Sequence, residues 1–483
     1  VLEGRYDYRL IDGNVDPDPL ETARQVLSDG APAVVGVTVM PGPQVAPAIE
    51  IASEIRRYRP DVPIVWGGYF PGLYPDAAIN APYVDYVVRG QGEQTLLDLL
   101  ERLPDAGPPT PEQSARDTGA ISSLAGITWR DGEGAHHNPD RPFHPPDSLP
   151  PLPYERLGDV GVYLRPSFLG SRTGVHQAAH GCRYRCTFCG VASVYGGHTR
   201  LQSPGGMLEA ITTLRDRYGV NAMQFYDHNF FDREETSVPM LDAMGRAPLP
   251  FWCYARADTL AGFSAQTWRL AEQAGLRMAY IGAEAASDSI LKTMRKGTKV
   301  DHTLEVARRC REHGVIPEFS FILGGPDDPE GETEKTLAFI RQLKRLHPEC
   351  EVILYFYTPT PQTLRPAPGS APASSGKSTR YGDAEVALPT TPEEWAEPRW
   401  VDFVCHRDAP WLTDRMRERV RGFARVLGCR FPTAQDYRTP AWGKTVLRNL
   451  ARWRYATGRY ENPWELDLAR MWIPLREPQS ESL

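Results

Sequence analysis

The chain has no run of about 18 apolar residues, so no membrane span is expected. No basic segment followed by an apolar stretch and small residues opens it, as a secretory leader would. Cysteine is scarce, with eight in 483 residues. That is too few, and they are too scattered, for a disulfide scaffold. Cys253, Cys310, Cys350, Cys405 and Cys429 read as buried thiols of a reducing, cytoplasmic protein. Positive charge is in deficit, 54 Lys and Arg against 61 Asp and Glu, for a net charge of −7. The balance gives no bulk attraction for nucleic acid or an anionic membrane, and no nucleic-acid partner is expected. The chain starts at Val1 and runs at once into the strand-like Tyr8–Asp12, so the first domain is expected to be N-terminally incomplete. What is present, 41% hydrophobic and 24% charged residues, suits a globular chain of two or three domains.

From Ala33 to Leu103 apolar runs (Val34–Met40, Pro63–Trp66, Val84–Val88) alternate with helical stretches (Ala46–Tyr58, Glu93–Leu103). That rhythm indicates a parallel sheet wrapped by helices. Gly67-Gly68 and Gly90-Gln91-Gly92 mark two strand ends, where such sheets bind ligands and where glycine lets backbone approach. They serve equally well as tight turns. Pro- and Gly-rich sequence to about Pro153 reads as a linker with a strand pair near Ala125–Arg130. From Val175 six apolar runs recur: Val175–Ala178, Ala222–Tyr226, Phe251–Ala255, Met278–Gly282, Glu318–Leu323 and Val352–Tyr357. Six βα units make a partial barrel with its active site at the strands' carboxyl ends. The fold class expected is α/β: residues 1–125 a Rossmann-like domain, 126–165 a linker, 166–362 a partial (β/α)6 barrel, 363–399 a flexible connection, and 400–483 a mostly helical domain or lid.

The first barrel run feeds the loop HGCRYRCTFCG, His180–Gly190, in which Cys182, Cys186 and Cys189 have C-x3-C-x2-C spacing. Three thiolates hold three corners of a cubane [4Fe–4S] cluster and leave the fourth iron open. A three-cysteine zinc site completed by His180 or His198 is the alternative.

With YDHNFF, YARAD, IGAEAASDSILKTMRKG and FSFILGGPDDP downstream, this loop resembles the radical S-adenosylmethionine (SAM) enzymes over Val175–Pro361. The resemblance implies that SAM chelates the open iron and is split by one electron to methionine and a 5′-deoxyadenosyl radical. It places Phe188 beside the adenine, with Gly190 allowing close passage, and Asp227 at the methionyl ammonium. It also places Arg256 at the SAM carboxylate, Glu284 at the ribose hydroxyls, and Ile322 and Gly324 beside the adenine. Ordinary packing, a helix cap and a surface arginine are the plain readings of Phe188, Asp227 and Arg256. Pro326-Asp327-Asp328-Pro329 departs from the family's usual glycine-glutamate continuation.

Val34–Met40, IVWGGYFPGLYPD and YVDYVVRGQGEQTLLDLL resemble the cobalamin-binding domain that precedes the barrel in one branch of that superfamily. The resemblance nominates Thr38, Gly67, Gly68, Gly90, Gly92 and Glu93 for the cobalamin tail. It puts the loops Met40–Gln44 and Tyr69–Leu73, hence Met40 and Tyr69, beneath the corrin. Glu93 also suits a helix dipole. The D-x-H-x-x-G motif that brings a histidine to cobalt in other cobalamin proteins is absent.

The function expected is that of a cobalamin-dependent radical SAM C-methyltransferase acting on an unactivated carbon of a small molecule, with a low-potential donor such as flavodoxin or ferredoxin. The alternatives are an oxidative cyclase or ring-rearranging enzyme, a cobalamin-independent radical SAM enzyme, a tRNA-modifying relative and a non-catalytic sensor. In the tail, Trp442–Tyr460 with Lys444, Arg448, Arg452, Arg454 and Arg459 reads as a lid, or as a plain helix packing Leu447, Leu450 and Trp453 on the barrel.

Overall fold

β-branched and aromatic runs of three to nine residues become the strands, and the glycine- and proline-marked gaps become the turns. The computed structural model describes residues 1–30, 32–103, 120–325, 328–360, 378–381 and 384–478. The chain divides into two units. One comprises Val1–Val162, Phe188–Arg200 and Thr358–Arg407; the other comprises Tyr163–Thr187, Leu201–Tyr357 and Asp408–Leu483.

In the first unit, β1 (Val35–Thr38), β2 (Ile64–Gly67) and β3 (Tyr86–Val88) pair in parallel. The helix Val45–Tyr58 buries Val45, Ala48, Ala52 and Ile55, the one-faced spacing of an amphipathic helix. Two further strands, β4 (Ile127–Asp131) and β5 (Gly134–His137), continue the sheet in antiparallel register from β3. The hairpin seen in the expected linker is therefore part of the first sheet, which runs past residue 125. Its Ile127 and Trp129 bury with Val65, Val88 and Leu99 in one core cluster. Tyr8–Asp12 forms no strand; the first regular element is the helix Pro19–Asp29, capped by Asp18.

Part of the expected connection 363–399 also belongs to this unit. Trp395 is buried against Phe70 and Tyr74, with ring centroids 6.2 and 4.1 Å away, and Tyr83 donates to Glu393 at 2.8 Å. Residues 361–377 and 382–383 of that connection, and Pro326-Asp327 of the barrel motif, lie outside the described residues.

The second unit is built on six parallel strands that pair in chain order: β6 (Thr173–His176), β7 (Ala222–Phe225), β8 (Phe251–Arg256), β9 (Leu276–Glu284), β10 (Ile316–Leu323) and β11 (Glu351–Phe356). The first strand starts and ends two residues earlier than its apolar run suggests, so Ala178 lies beyond it.

Alternation along β8 turns Trp252, Tyr254 and Arg256 to one face, and Phe251, Cys253 and Ala255 to the other. On the first face Tyr254 meets Trp252 and Tyr280 at centroid distances of 4.6 and 4.9 Å, and Tyr226 meets Trp252 at 5.5 Å. Tyr280 donates to the Tyr355 hydroxyl at 3.2 Å. The inner wall is thus aromatic and edged with phenols.

The tail, which carries the helices Asp414–Arg430, Ala441–Thr457 and Trp464–Trp472, is anchored to this barrel by several side-chain contacts. Gln435 donates to Glu318 at 2.8 Å and to Glu351 at 2.9 Å, neighbours on β10 and β11. Trp411 donates to the Gly324 carbonyl at 3.0 Å. Of the three residues expected to pack inward from Ala441–Thr457, only Leu447 is buried; Leu450 and Trp453 are exposed. Arg454 is buried instead, paired with Glu465.

Candidate functional site

In the first unit the carboxyl ends of β1, β2 and β3 bring the nominated residues to one sheet edge. Thr38 is exposed at the end of β1, and the Met40 amide donates to Gln44 at 3.2 Å. The glycines there differ in kind. Gly68 has φ +95°, and an added Cβ would lie 2.9 Å from the Val39 carbonyl oxygen, so the approach of β1 already requires glycine. Gly90 has φ +68°, and at Gly92 a Cβ would meet Val88 at 3.0 Å. Gly67 has the freest surroundings, with nothing closer than 4.0 Å.

Tyr69–Leu73 is a helical turn rather than a loop. Glu93 opens the helix Glu93–Leu100, and its Oε2 is buried without a hydrogen-bond partner among the described residues. The Ser193 hydroxyl, on the helix Val191–Tyr195, is buried and unpartnered in the same way.

That helix directly follows Cys189 and belongs to the first unit. Tyr195 lies 6.3 Å from the Tyr69 ring, and a Cβ on Gly190 would meet Leu73 at 3.1 Å. Phe188 is part-buried in this segment. Two stranded buried acceptors beside glycine-ended strands suit a polar ligand at this edge, and the residues present therefore fit a cobalamin tail. His137 offers no spare nitrogen, because Nδ1 meets Thr128 at 2.9 Å and Nε2 meets Asp76 at 2.8 Å. His136 bonds Asp131 at 2.8 Å and stacks on Trp129.

In the second unit Cys186 is buried and Cys182 is part-buried, its thiol pKa raised by that burial. Cys189, in the first unit, is part-buried as well. Among the described residues no three His, Cys, Asp or Glu side chains, those of the cysteine loop included, are grouped to hold a single metal ion. Positive charge surrounds Cys186. Arg256 Nη1 lies 3.7 Å from its sulfur, and the Arg256 guanidinium sits 3.4 Å over the Tyr184 ring and pairs with Asp258 at 2.9 Å. Sequence reasoning missed Tyr184, Asp258 and Lys296, although all three lie within the motifs it used. Arg256 is thus engaged with Tyr184, Cys186 and Asp258.

Asp227 follows β7 and is fully buried. Neither carboxylate oxygen has a hydrogen-bond partner of ordinary geometry, and both atoms of the Asn229 amide are equally stranded. Burial pushes the Asp227 pKa up to about 8, against a smaller pull from the amides of Ala179 and Ala178. A buried acid without a partner, next to an amide without one, is suited to a cationic group such as the SAM ammonium.

Glu284 ends β9, buried, with Lys296 donating to its Oε1 at 2.6 Å and Ser320 to its Oε2 at 3.4 Å. Ile322 is buried on β10. Gly324, at φ +74°, packs so closely that a Cβ would fall 2.5 Å from Leu412, which gives it a packing role against the tail.

With this geometry in place, the comparisons with known proteins define the class. A model of the radical SAM superfamily matches residues 177–340, and one of the B12-binding domain matches residues 1–100. An uncharacterized methyltransferase of Pyrococcus horikoshii is 23% identical, over 71% of each chain. A cytidylyl-2-hydroxyethylphosphonate methyltransferase of Streptomyces wedmorensis is 23% identical, over 67% of this chain and 64% of that one. The anaerobic magnesium-protoporphyrin IX monomethyl ester cyclase of Rubrivivax gelatinosus is also 23% identical, over 69% and 58%.

In fold, the chain is similar to the radical SAM methyltransferase TsrM of Kitasatospora setae, solved with cobalamin and a [4Fe–4S] cluster. The TM-score is 0.60 at 18% identity, covering 94% of this chain and 92% of that one. The chain thus carries a B12-binding domain over residues 1–100 ahead of a radical SAM domain over residues 177–340, the arrangement of the cobalamin-dependent radical SAM enzymes. Its cofactors are accordingly a [4Fe–4S] cluster, SAM and cobalamin. No described helix is long and apolar enough to cross a membrane.

Proposed function

We propose that this enzyme is a C-methyltransferase acting on an unactivated carbon of a small molecule. The observation that carries the reading is one chain joining a cobalamin-binding domain to a barrel whose first loop holds three cysteines in C-x3-C-x2-C spacing. Methyltransferases recur among its relatives, TsrM among them. When bound, the cluster and SAM supply a carbon-centred radical, and cobalamin supplies a transferable methyl group.

The residues then divide the work. Cys182, Cys186 and Cys189 hold the cluster, Asp227 takes the SAM ammonium, and Glu284 takes the ribose hydroxyls. Phe188, Gly190 and Ile322 flank the adenine. Thr38, Met40, Gly67, Gly68, Tyr69, Gly90, Gly92 and Glu93 form the cobalamin edge. Tyr226, Trp252, Tyr254, Tyr280 and Tyr355 line the barrel wall, where aromatic faces exclude water from a reactive radical and hold the substrate by ring contacts.

A low-potential donor of the flavodoxin or ferredoxin kind supplies electrons in a reducing, cytoplasmic compartment. Eight cysteines, none of them in a disulfide, suit that setting. The test is to incubate the anaerobically reconstituted protein with methyl-deuterated SAM, a low-potential reductant and small-molecule extract, and to search by mass spectrometry. Products carrying the deuterated methyl group support methylation. Products that lose hydrogen without gaining label establish the cyclase reading instead, which the magnesium-protoporphyrin relatives favour.

A further inference from the structure

Beside Cys186 the chain maintains a buried ion pair at evident conformational cost. Lys296 and Glu284 are 8% and 5% exposed and 2.6 Å apart. Glu284 has φ +64° and Arg295, next to Lys296, has φ +52°, a region that side-chain-bearing residues enter only at a cost. Gly282 makes the recess, since a Cβ there would lie 2.2 Å from Glu284 Oε1 and 2.4 Å from Lys296 Nζ. Arg256 donates both to the Lys296 carbonyl and toward Cys186. The Thr187 amide ties the cysteine loop to the Met294 carbonyl at 3.0 Å, two residues before the lysine. A pair kept only for stability would do as well as apolar side chains of the same volume. Two strained residues and an obligatory glycine mark a different use.

We propose that Lys296 is a positioning residue for the reductive step: it fixes the Glu284 carboxylate and, with Arg256, sets positive charge beside Cys186 so that the cluster accepts its electron more readily. This rests on the reading that Cys186 ligates the cluster. A reduced cluster carries one more negative charge than an oxidised one, and nearby cations in a dry site stabilise it preferentially. Lys296 forms and breaks no bond. The electron comes from a one-electron donor of low potential. With one carboxylate oxygen held by Lys296, Glu284 stays aimed, leaving its remaining acceptor capacity for hydroxyl donors.

The experiment is a redox titration of the anaerobically reconstituted full chain with titanium(III) citrate, followed by electron paramagnetic resonance. The forms compared are wild type, K296M, K296R and E284Q, with SAM affinity measured in parallel. The K296M midpoint should fall, the E284Q midpoint should rise and K296R should stay near wild type. SAM binding should weaken about tenfold in K296M, the size of one charge-assisted hydrogen bond, and recover in K296R. Midpoints that coincide, or K296M and E284Q moving in the same direction, overturn the proposal. If K296M fails to load iron, E284Q and K296R decide it: an E284Q midpoint that does not rise overturns it. A wild-type chain that takes up no cluster overturns instead the cluster assignment beneath it.

Discussion

At the scale of single residues the most telling group is Asp227, an acid the fold buries without a partner. Its pKa of about 8 in the folded, SAM-free protein stands above the unfolded value of 3.8. The sign follows directly. Between those values the folded protein keeps a proton that the unfolded chain has released, so stability is full below pH 3.8 and falls as pH rises to about 8. D227N lacks this term. Its denaturation midpoint, compared with wild type in SAM-free protein, should gain steadily over that window, at about 1.4 kcal/mol per pH unit at most. SAM binding should be lost in the same variant. Parallel pH profiles for the two proteins would refute the assignment of a strained buried acid.

The cysteine spacing and the Asp227 and Glu284 positions were legible in the sequence because each follows an apolar run directly. Lys296 was not. It sits 12 residues from its partner, and two left-handed residues that no pattern announces bring it back.

At the scale of elements, the six barrel strands were readable because each is a β-branched or aromatic run between helices. The hairpin Ile127–His137 was seen but not placed, since a short antiparallel pair carries no signal of which sheet edge it will join. The inward aromatic face of the barrel was equally hidden. Continuous apolar runs in a parallel sheet do not show which residues turn inward.

Two element-scale predictions follow from how strands meet their neighbours. G282A puts a methyl group into the space of Glu284 and Lys296, so the buried pair must separate, at a cost of roughly 3 kcal/mol in denaturant unfolding. A loss under about 0.5 kcal/mol would mean that the recess is not needed. Gln435, invisible to sequence reasoning because it acts through Glu318 and Glu351 from another segment, bridges two adjacent buried carboxylates. Q435L leaves them facing each other, and should cost about 2 kcal/mol or more. Denaturant unfolding of Q435L beside wild type measures that loss. A loss under about 0.5 kcal/mol would show that the two carboxylates do not need the amide.

At the scale of the whole molecule, the central claim is that one chain carries both a radical-generating cluster and cobalamin without a protein histidine on cobalt. The sequence supported this by the absence of a histidine motif. The structure adds that His136 and His137, in the first unit's sheet, are already engaged with Asp131, Thr128 and Asp76. The most direct measurement is metal analysis and electron paramagnetic resonance of the anaerobically reconstituted protein loaded with cob(II)alamin. The account predicts about four irons and one cobalt per chain, with a cobalt signal free of nitrogen superhyperfine splitting. Cobalamin that washes away while the cluster stays, or a cobalt signal split by a coordinated nitrogen, would contradict it.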